Sequence, residues 1–346
     1  MRKLLLAGLA LPMMTGAVAA ADEPRISGEL LLELQSDTAY KSDVAANELT
    51  NTTAVIELGT SINLGQGFAI NSAIIAEQIN GPAKDAFLSE HGAFFQELNL
   101  SYATDSFEVM AGKFNPNFSI GFDIVPGFMG DTFAADNEIT EMVGFGGAYN
   151  INDSMTLSGS AFFADTSFLS ESFGTNRGRT RQSAGGPANT GAPESFAVAL
   201  DGSDIPGVEG LTYHVGFVRL ADDANDDELR LAAAGEYAFA INDDLTLTPM
   251  AEYVRVWNSG GNGNDDRNYF ILGAALDYRN WQFSTAYSGR FIENTGAADV
   301  NDHFYTAAVT YNFDFGLEAS LAWNHTEDAN VDTQTVGLFL GYTHEF

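Results

Sequence analysis

The stretch "GLFLGYTHEF", residues 337–346, decides the fold. Successive side chains of an extended strand point to opposite faces. One face of this stretch is therefore apolar and aromatic, and it carries Leu338, Leu340, Tyr342, His344 and Phe346. A strand of this kind with an unpaired edge is an aggregation hazard in water. The stretch therefore predicts that another strand of the same chain covers its edge.

The first 21 residues have the pattern of a secretory signal peptide. Two basic residues precede an apolar run, and small residues follow it. A transmembrane helix needs about 20 apolar residues, whereas this run is shorter and Pro12 interrupts it. We expect cleavage between Ala19 and Ala21, and a single exported domain over residues 22–346.

The composition is strongly acidic, with 47 Asp and Glu against 15 Lys and Arg and a formal net charge of −32. Removal of residues 1–21 takes away two basic residues and no acid. Such a charge speaks against nucleic acid as a partner and favours cations. The chain has no cysteine, which excludes disulfides and zinc–thiolate sites. We expect no cofactor, no bound metal and no catalytic group.

From about residue 26 the chain divides into segments of about ten residues in which apolar and polar side chains alternate, the length of a tilted transmembrane strand. Long and short connections alternate between them. The long ones lie near 36–49, 80–92, 115–138, 165–193, 221–227, 258–267, 293–301 and 327–332. The tight turns lie at 64–67, 103–106, 150–153, 204–210, 242–244, 279–280 and 314–316.

Fifteen connections join sixteen strands. A soluble sandwich shows the same side-chain alternation, but the signal peptide and the parity of the loop lengths favour a transmembrane antiparallel β-barrel. In the first strand, Leu30, Leu32 and Leu34 would then face outward. Glu29 and Glu33 would face the lumen.

With these features the chain resembles the general porin family of Gram-negative outer membranes over its whole mature length. The final strand ending in Phe346 carries the most specific match. The resemblance implies that this strand is read by the barrel assembly machinery and pairs with the first strand. It also implies a homotrimer in the outer membrane that forms a water-filled channel for passive diffusion of small hydrophilic solutes.

The third long connection, about residues 114–138, is too apolar for an exposed loop. It contains Phe118, Phe122, Phe128 and Phe133, and each such side chain costs roughly 1.5–3 kcal/mol to leave in water. We expect this loop to fold into the lumen and narrow it. In the family the same loop forms the pore constriction, with acids facing a basic cluster on the opposite wall. The acids here are Asp123, Asp131, Asp136 and Glu138.

The first four strands place only acids among the charged residues of their lumen faces. By parity these are Glu29, Glu33, Glu57, Glu77 and Glu97. A carboxylate belt in a narrow channel attracts cations, which predicts cation selectivity. In a wide lumen, screening over a Debye length of about 8 Å would leave the belt with almost no effect on ion selectivity. Arg230 and Arg290 also point inward, where they would pair with loop acids or form a partial basic wall.

Three basic residues have outward parity near the long-loop ends of their strands: Lys113, Arg219 and Arg255. Charges on the lipid side are cheap near the rim. They would meet lipopolysaccharide phosphates, snorkel, or contact another subunit.

Two functions other than a general porin are an enzyme and a substrate-specific channel. An enzyme would need a serine and a histidine beside an acid or amide, and no such arrangement is evident. A substrate-specific channel for sugars or other small solutes would use the loop phenylalanines as a stacking track. Packing of the loop against the wall explains those residues more simply.

Overall fold

The computed structural model describes residues 25–295 and 298–346. The predicted signal peptide lies outside the described residues. Within them, sixteen antiparallel strands form one closed sheet. The first eight are β1 (Ile26–Ser42), β2 (Thr50–Gly65), β3 (Phe68–Gln78), β4 (His91–Ala103), β5 (Phe107–Phe114), β6 (Met142–Asn152), β7 (Met155–Ala164) and β8 (Ser195–Gly202).

The other eight are β9 (Leu211–Leu220), β10 (Glu228–Tyr237, continuing as Phe239–Asn242), β11 (Leu245–Trp257), β12 (Asp265–Tyr278), β13 (Trp281–Asn294), β14 (Val300–Asn312), β15 (Leu317–Asp328) and β16 (Val331–Glu345). Two-residue strands at Ala86–Phe87 and Phe173–Gly174 lie in long loops and pair with β2 and β4. In the described part of the chain no helix is both long and apolar enough to cross a membrane.

The barrel closes between β1 and β16. Gly28 and Phe346 exchange two backbone hydrogen bonds, of 2.9 and 3.0 Å, and the register continues with Leu34 opposite Leu340. Closure leaves neither strand with a free edge. The covering strand that the sequence predicts is therefore β1.

The side chains alternate across the sheet as predicted. On β1 and β16, Leu32, Leu34 and Leu340 are exposed on the outer face, whereas Leu31 and Phe339 are buried on the inner face. An apolar exterior is what lipid contact requires of a barrel.

The seven predicted tight turns are all present at one end of the barrel. Two predicted long connections are wrong. Strand β1 continues to Ser42, so the loop after it spans only 43–49. The last connection is a two-residue turn, Ala329–Asn330, with φ of 50° and 64°, because the acidic residues around it pair within a hairpin.

Candidate functional site

The segment between β5 and β6, residues 115–141, runs inside the barrel and is called the inner loop below. Near its start the carbonyl oxygen of Phe118 accepts a hydrogen bond from Nε2 of His214 on β9. Nδ1 of the same ring lies 2.7 Å from a carboxylate oxygen of Asp201. The imidazole thus joins the inner loop to Asp201 on the neighbouring strand β8. Gly216 makes room beneath Phe118, because a Cβ there would overlap the Phe118 carbonyl oxygen.

The next turn of the inner loop is held by Glu252 on β11. One carboxylate oxygen accepts from the Ser119 hydroxyl at 2.9 Å and from the backbone N–H groups of Ile120 and Gly121 at 3.1 and 3.0 Å. A Cβ at position 121 would overlap the other Glu252 oxygen, so a larger residue there would displace the carboxylate from this position. This anchor was missed from the sequence, although the parity of β11 points Glu252 inward.

The middle of the inner loop reaches the far side of the barrel. Phe128 stacks on Phe339 of β16, with ring centroids 5.1 Å apart, and Met129 contacts Asn324 of β15. On the return path Phe133 packs edge-on against Phe304 of β14. The inner loop therefore covers the wall from β9 to β16, which is called the covered wall.

Asp136 fastens the returning segment. One of its carboxylate oxygens accepts from Arg290 at 3.0 Å and from the Tyr269 hydroxyl at 3.1 Å, and its backbone carbonyl accepts from Arg230 at 3.1 Å. Of the four acids predicted for the constriction, Asp136 is thus a neutralised anchor.

Asp123 lies in the four-residue helix α1, Gly121–Ile124. Burial raises the pKa of Asp123 to about 8, and repulsion from Glu138 and Glu252 adds to the increase. The inner loop therefore brings several carboxylates close together.

Glu138 and Asp131 lie on the inner loop near each other and near acids of the opposite strands. Burial raises the pKa of Glu138 to about 7, with further repulsion from Asp131, Glu57 and Glu77. The last two belong to β2 and β3. The acids of the inner loop and of the opposite strands are thus near enough to repel one another.

The lumen face of β1–β4 is called the acidic wall. The structure places Glu29, Glu33, Glu57, Glu77 and Glu97 on it, and no Lys or Arg occupies a lumen-facing position of these four strands as described. Glu29 and Glu97 lie in one cross-strand row through Gly59 and Ala73. Glu57 lies one row nearer the long loops, opposite Leu31 and Ile75.

Two more glutamates extend the acidic wall and were missed from the sequence. Glu345 on β16 is the cross-strand partner of Glu29, and Glu318 on β15 shares the partner Gly341 with Glu33. The parity rule applied to the last two strands would have found both.

The lumen-facing arginines of the strands lie on the covered wall. Arg230 pairs with Glu228 at 2.6 Å and Arg267 with Asp265 at 2.9 Å. Arg290 pairs with three aspartates, one of them Asp136. The wall opposite the inner loop therefore departs from the basic cluster of the general porin family, as the parity of β1–β4 predicts. The wall opposite the inner loop is acidic.

The expected outward role of Lys113 is wrong. Its side chain is 1% exposed and its ammonium group lies 2.7 Å from Glu141 and 2.9 Å from Asp165. It keeps outward parity, but loop 165–194 covers it. Arg219 and Arg255 are also paired with acids, Asp227 and Asp266.

No protein-family model matches the chain, and no curated protein matches it. Solved structures do. The outer membrane channel DcaP of Acinetobacter baumannii has a TM-score of 0.59 at 13% identity, covering 92% of this chain and 96% of that chain. A loop L8 deletion mutant of OmpT, an outer membrane protein of Vibrio cholerae, has a TM-score of 0.58 at 10% identity, covering 92% and 99%.

OpdK of Pseudomonas aeruginosa with vanillate has a TM-score of 0.57 at 9% identity, covering 93% of this chain and 99% of that chain. At such low identity the likeness shows the fold. The chain has the closed 16-strand barrel of Gram-negative outer-membrane channels.

Proposed function

We propose that this protein is an outer-membrane porin. It forms a water-filled channel through which small hydrophilic solutes and ions diffuse passively, with a preference for cations. One observation carries the proposal: carboxylates of the inner loop, Asp131 and Glu138, lie near enough to the half-buried acids Glu33 and Glu77 of the acidic wall to repel them. The lumen arginines on the covered wall are matched by acids at salt-bridge distance.

The physical reason is that charges in a narrow channel are poorly screened. Two unit charges 4 Å apart interact by about 1 kcal/mol in water and about 4 kcal/mol at the effective dielectric of a protein surface. Carboxylates on both sides of one opening add their fields, so they concentrate cations and exclude anions.

The test is the reversal potential of the purified protein in a planar bilayer across a salt gradient. We expect an open, ohmic, cation-preferring conductance. The double variant E33Q/E77Q, which changes two half-buried acids of the acidic wall, should lower the cation-to-anion permeability ratio severalfold, since each removed charge is worth on the order of 1 kcal/mol.

The matched control is E171Q/E209Q, which also removes two charges but from exposed positions in loop 165–194 and in a tight turn. It should leave the ratio unchanged. An anion-preferring wild type, or equal effects of the two double variants, would contradict a selectivity set at the acidic wall.

A substrate-specific channel is the second candidate, because one similar structure is OpdK with vanillate. The aromatic track it would use is reduced here, since Phe118 and Phe133 are buried against the covered wall. A small conductance blocked by one class of solute would favour it. The homotrimer, the contact with lipopolysaccharide and the recognition by the assembly machinery stay predictions.

A further inference from the structure

The departure of the inner loop leaves a gap in the barrel wall. Strand β5 ends at Phe114, where the chain turns into the lumen, and its pairing with β4 covers only Leu98–Ala103. The first residues of β4 would therefore have an unpaired edge at this point. Unpaired backbone groups at membrane depth are costly.

Loop 165–194 fills this gap. Phe173 and Gly174 pair antiparallel with Ala93 and Gly92 of β4, and the Thr175 N–H donates to the His91 carbonyl at 2.9 Å. The loop thus supplies the missing piece of wall beside β4. It is part of the channel as well as a cover over it.

From this segment Arg177 turns onto the lumen face. Its guanidinium lies 3.6 Å from the ring centroid of Phe94, which β4 places on the same face as Ile75. Two of its nitrogens contact the two carboxylate oxygens of Glu141, at 2.7 and 2.5 Å, and Nε donates to the Ser170 carbonyl at 3.0 Å. A bidentate pair stacked on an aromatic ring holds this charge in one position.

The surroundings of Arg177 are acidic. Glu141 ends the inner loop, and Glu77 of the acidic wall interacts electrostatically with Arg177. Lys113 also contacts Glu141, but its side chain is only 1% exposed, whereas that of Arg177 is 20% exposed. Arg177 and Glu141 are therefore the accessible members of this network, each 20% exposed, and Arg177 neutralises a carboxylate that would otherwise add to the acidic wall.

We propose that Arg177 determines the ion preference of the long-loop end of the pore. Loop 165–194 inserts this positive charge beside the acidic wall and so moderates the attraction of cations. The proposal rests on the proposed channel function. It assigns a pore role to a loop whose sequence has no strand periodicity.

The test compares three variants in the bilayer assay. R177Q removes the charge, so the cation-to-anion permeability ratio should rise about twofold, the size expected for one partly screened charge. R177K keeps the charge but loses the planar fork and the stacking, so it should retain the wild-type ratio while the current fluctuates more. R179Q is the matched control, because Arg179 lies on the same loop, is exposed and donates Nε to the Thr166 carbonyl at 2.9 Å.

A wild-type ratio in R177Q would overturn the proposal, and so would equal shifts in R177Q and R179Q. Absence of any conductance in the wild type would instead defeat the channel function itself. Should R177Q fail to assemble, R177M removes the same charge and keeps an apolar stem over Phe94. It must then show the same rise in the ratio.

Discussion

The acidic wall and the covered wall use the same residue type in opposite ways. On the covered wall Glu252 accepts three hydrogen bonds from the inner loop, and Asp302 lies 2.8 Å from Arg290. On the acidic wall Glu57 has the apolar cross-strand partners Leu31 and Ile75. A carboxylate that faces donors becomes an anchor, whereas the carboxylates of the acidic wall lie among apolar neighbours and other acids and together make that wall negative.

The largest effect should come from breaking an anchor. E252A leaves one hydroxyl and two backbone N–H groups of the inner loop without an acceptor, at roughly 1 kcal/mol or more for each. The inner loop should then leave the covered wall, and the single-channel conductance should rise. E209A, on an exposed turn, serves as the control and should conduct like the wild type. If E252A kept the wild-type conductance, the inner loop would be held mainly by its apolar contacts.

The second prediction concerns a buried ion pair. Arg290 contacts Asp136, Asp302 and Asp328, and the Asp302 side chain is 1% exposed. R290Q leaves these acids without their cation, which should cost about 3 kcal/mol, the lower end for broken buried pairs because Arg290 is partly exposed. The unfolding temperature in detergent should fall, and the covered wall should begin to attract cations.

The control for R290Q is R279Q. Arg279 pairs with Asp244 on a tight turn where both side chains are more than half exposed. Exposed pairs contribute little, so the unfolding temperature should not change measurably. Equal losses in the two variants would mean that the position of an ion pair in this barrel does not matter.

The third and most gradual effect is on pH dependence. The pKa values of Asp123 and Glu138 are raised, to about 8 and about 7. A carboxyl with a raised pKa is charged above that value and neutral below it. Cation preference should therefore be full near pH 9 and should decline as the pH falls through 8 and then 7. Reversal potentials between pH 9 and pH 5 would show this, and a profile flat above pH 5 would contradict it.

The sequence predicted what depends on local periodicity. Alternation placed Glu57 and Glu97 on the lumen face, and the apolar composition of the inner loop predicted that it folds inward. Strand β1 is longer than predicted. The prediction assumes about ten residues per strand, which counts only the residues that cross the apolar layer of the membrane. The sequence predicts a long loop at 327–332 because acidic residues, which are common in exposed loops, lie on both sides of the turn at 329–330.

The features that the sequence does not predict depend on contacts between distant segments of the chain. Lys113 has outward parity, yet loop 165–194 buries it. The periodicity of the sequence does not predict that this loop packs over Lys113. Arg177 lies in a loop sequence without strand periodicity. Its position is set by the gap beside β4, which exists because β5 ends early. A rule that reads one strand at a time cannot detect such a gap.

The closure of β1 on β16 also bears on how fast the barrel forms. The paired residues are on the order of 300 positions apart in the chain, and contacts of such long range make folding slow. Strand β16 is synthesised last of the sixteen, so the free edge of β1 has to be shielded from other chains in the meantime. Changes in residues 337–346 should therefore alter the rate of assembly and the yield of closed barrels before they alter the conductance of those that close.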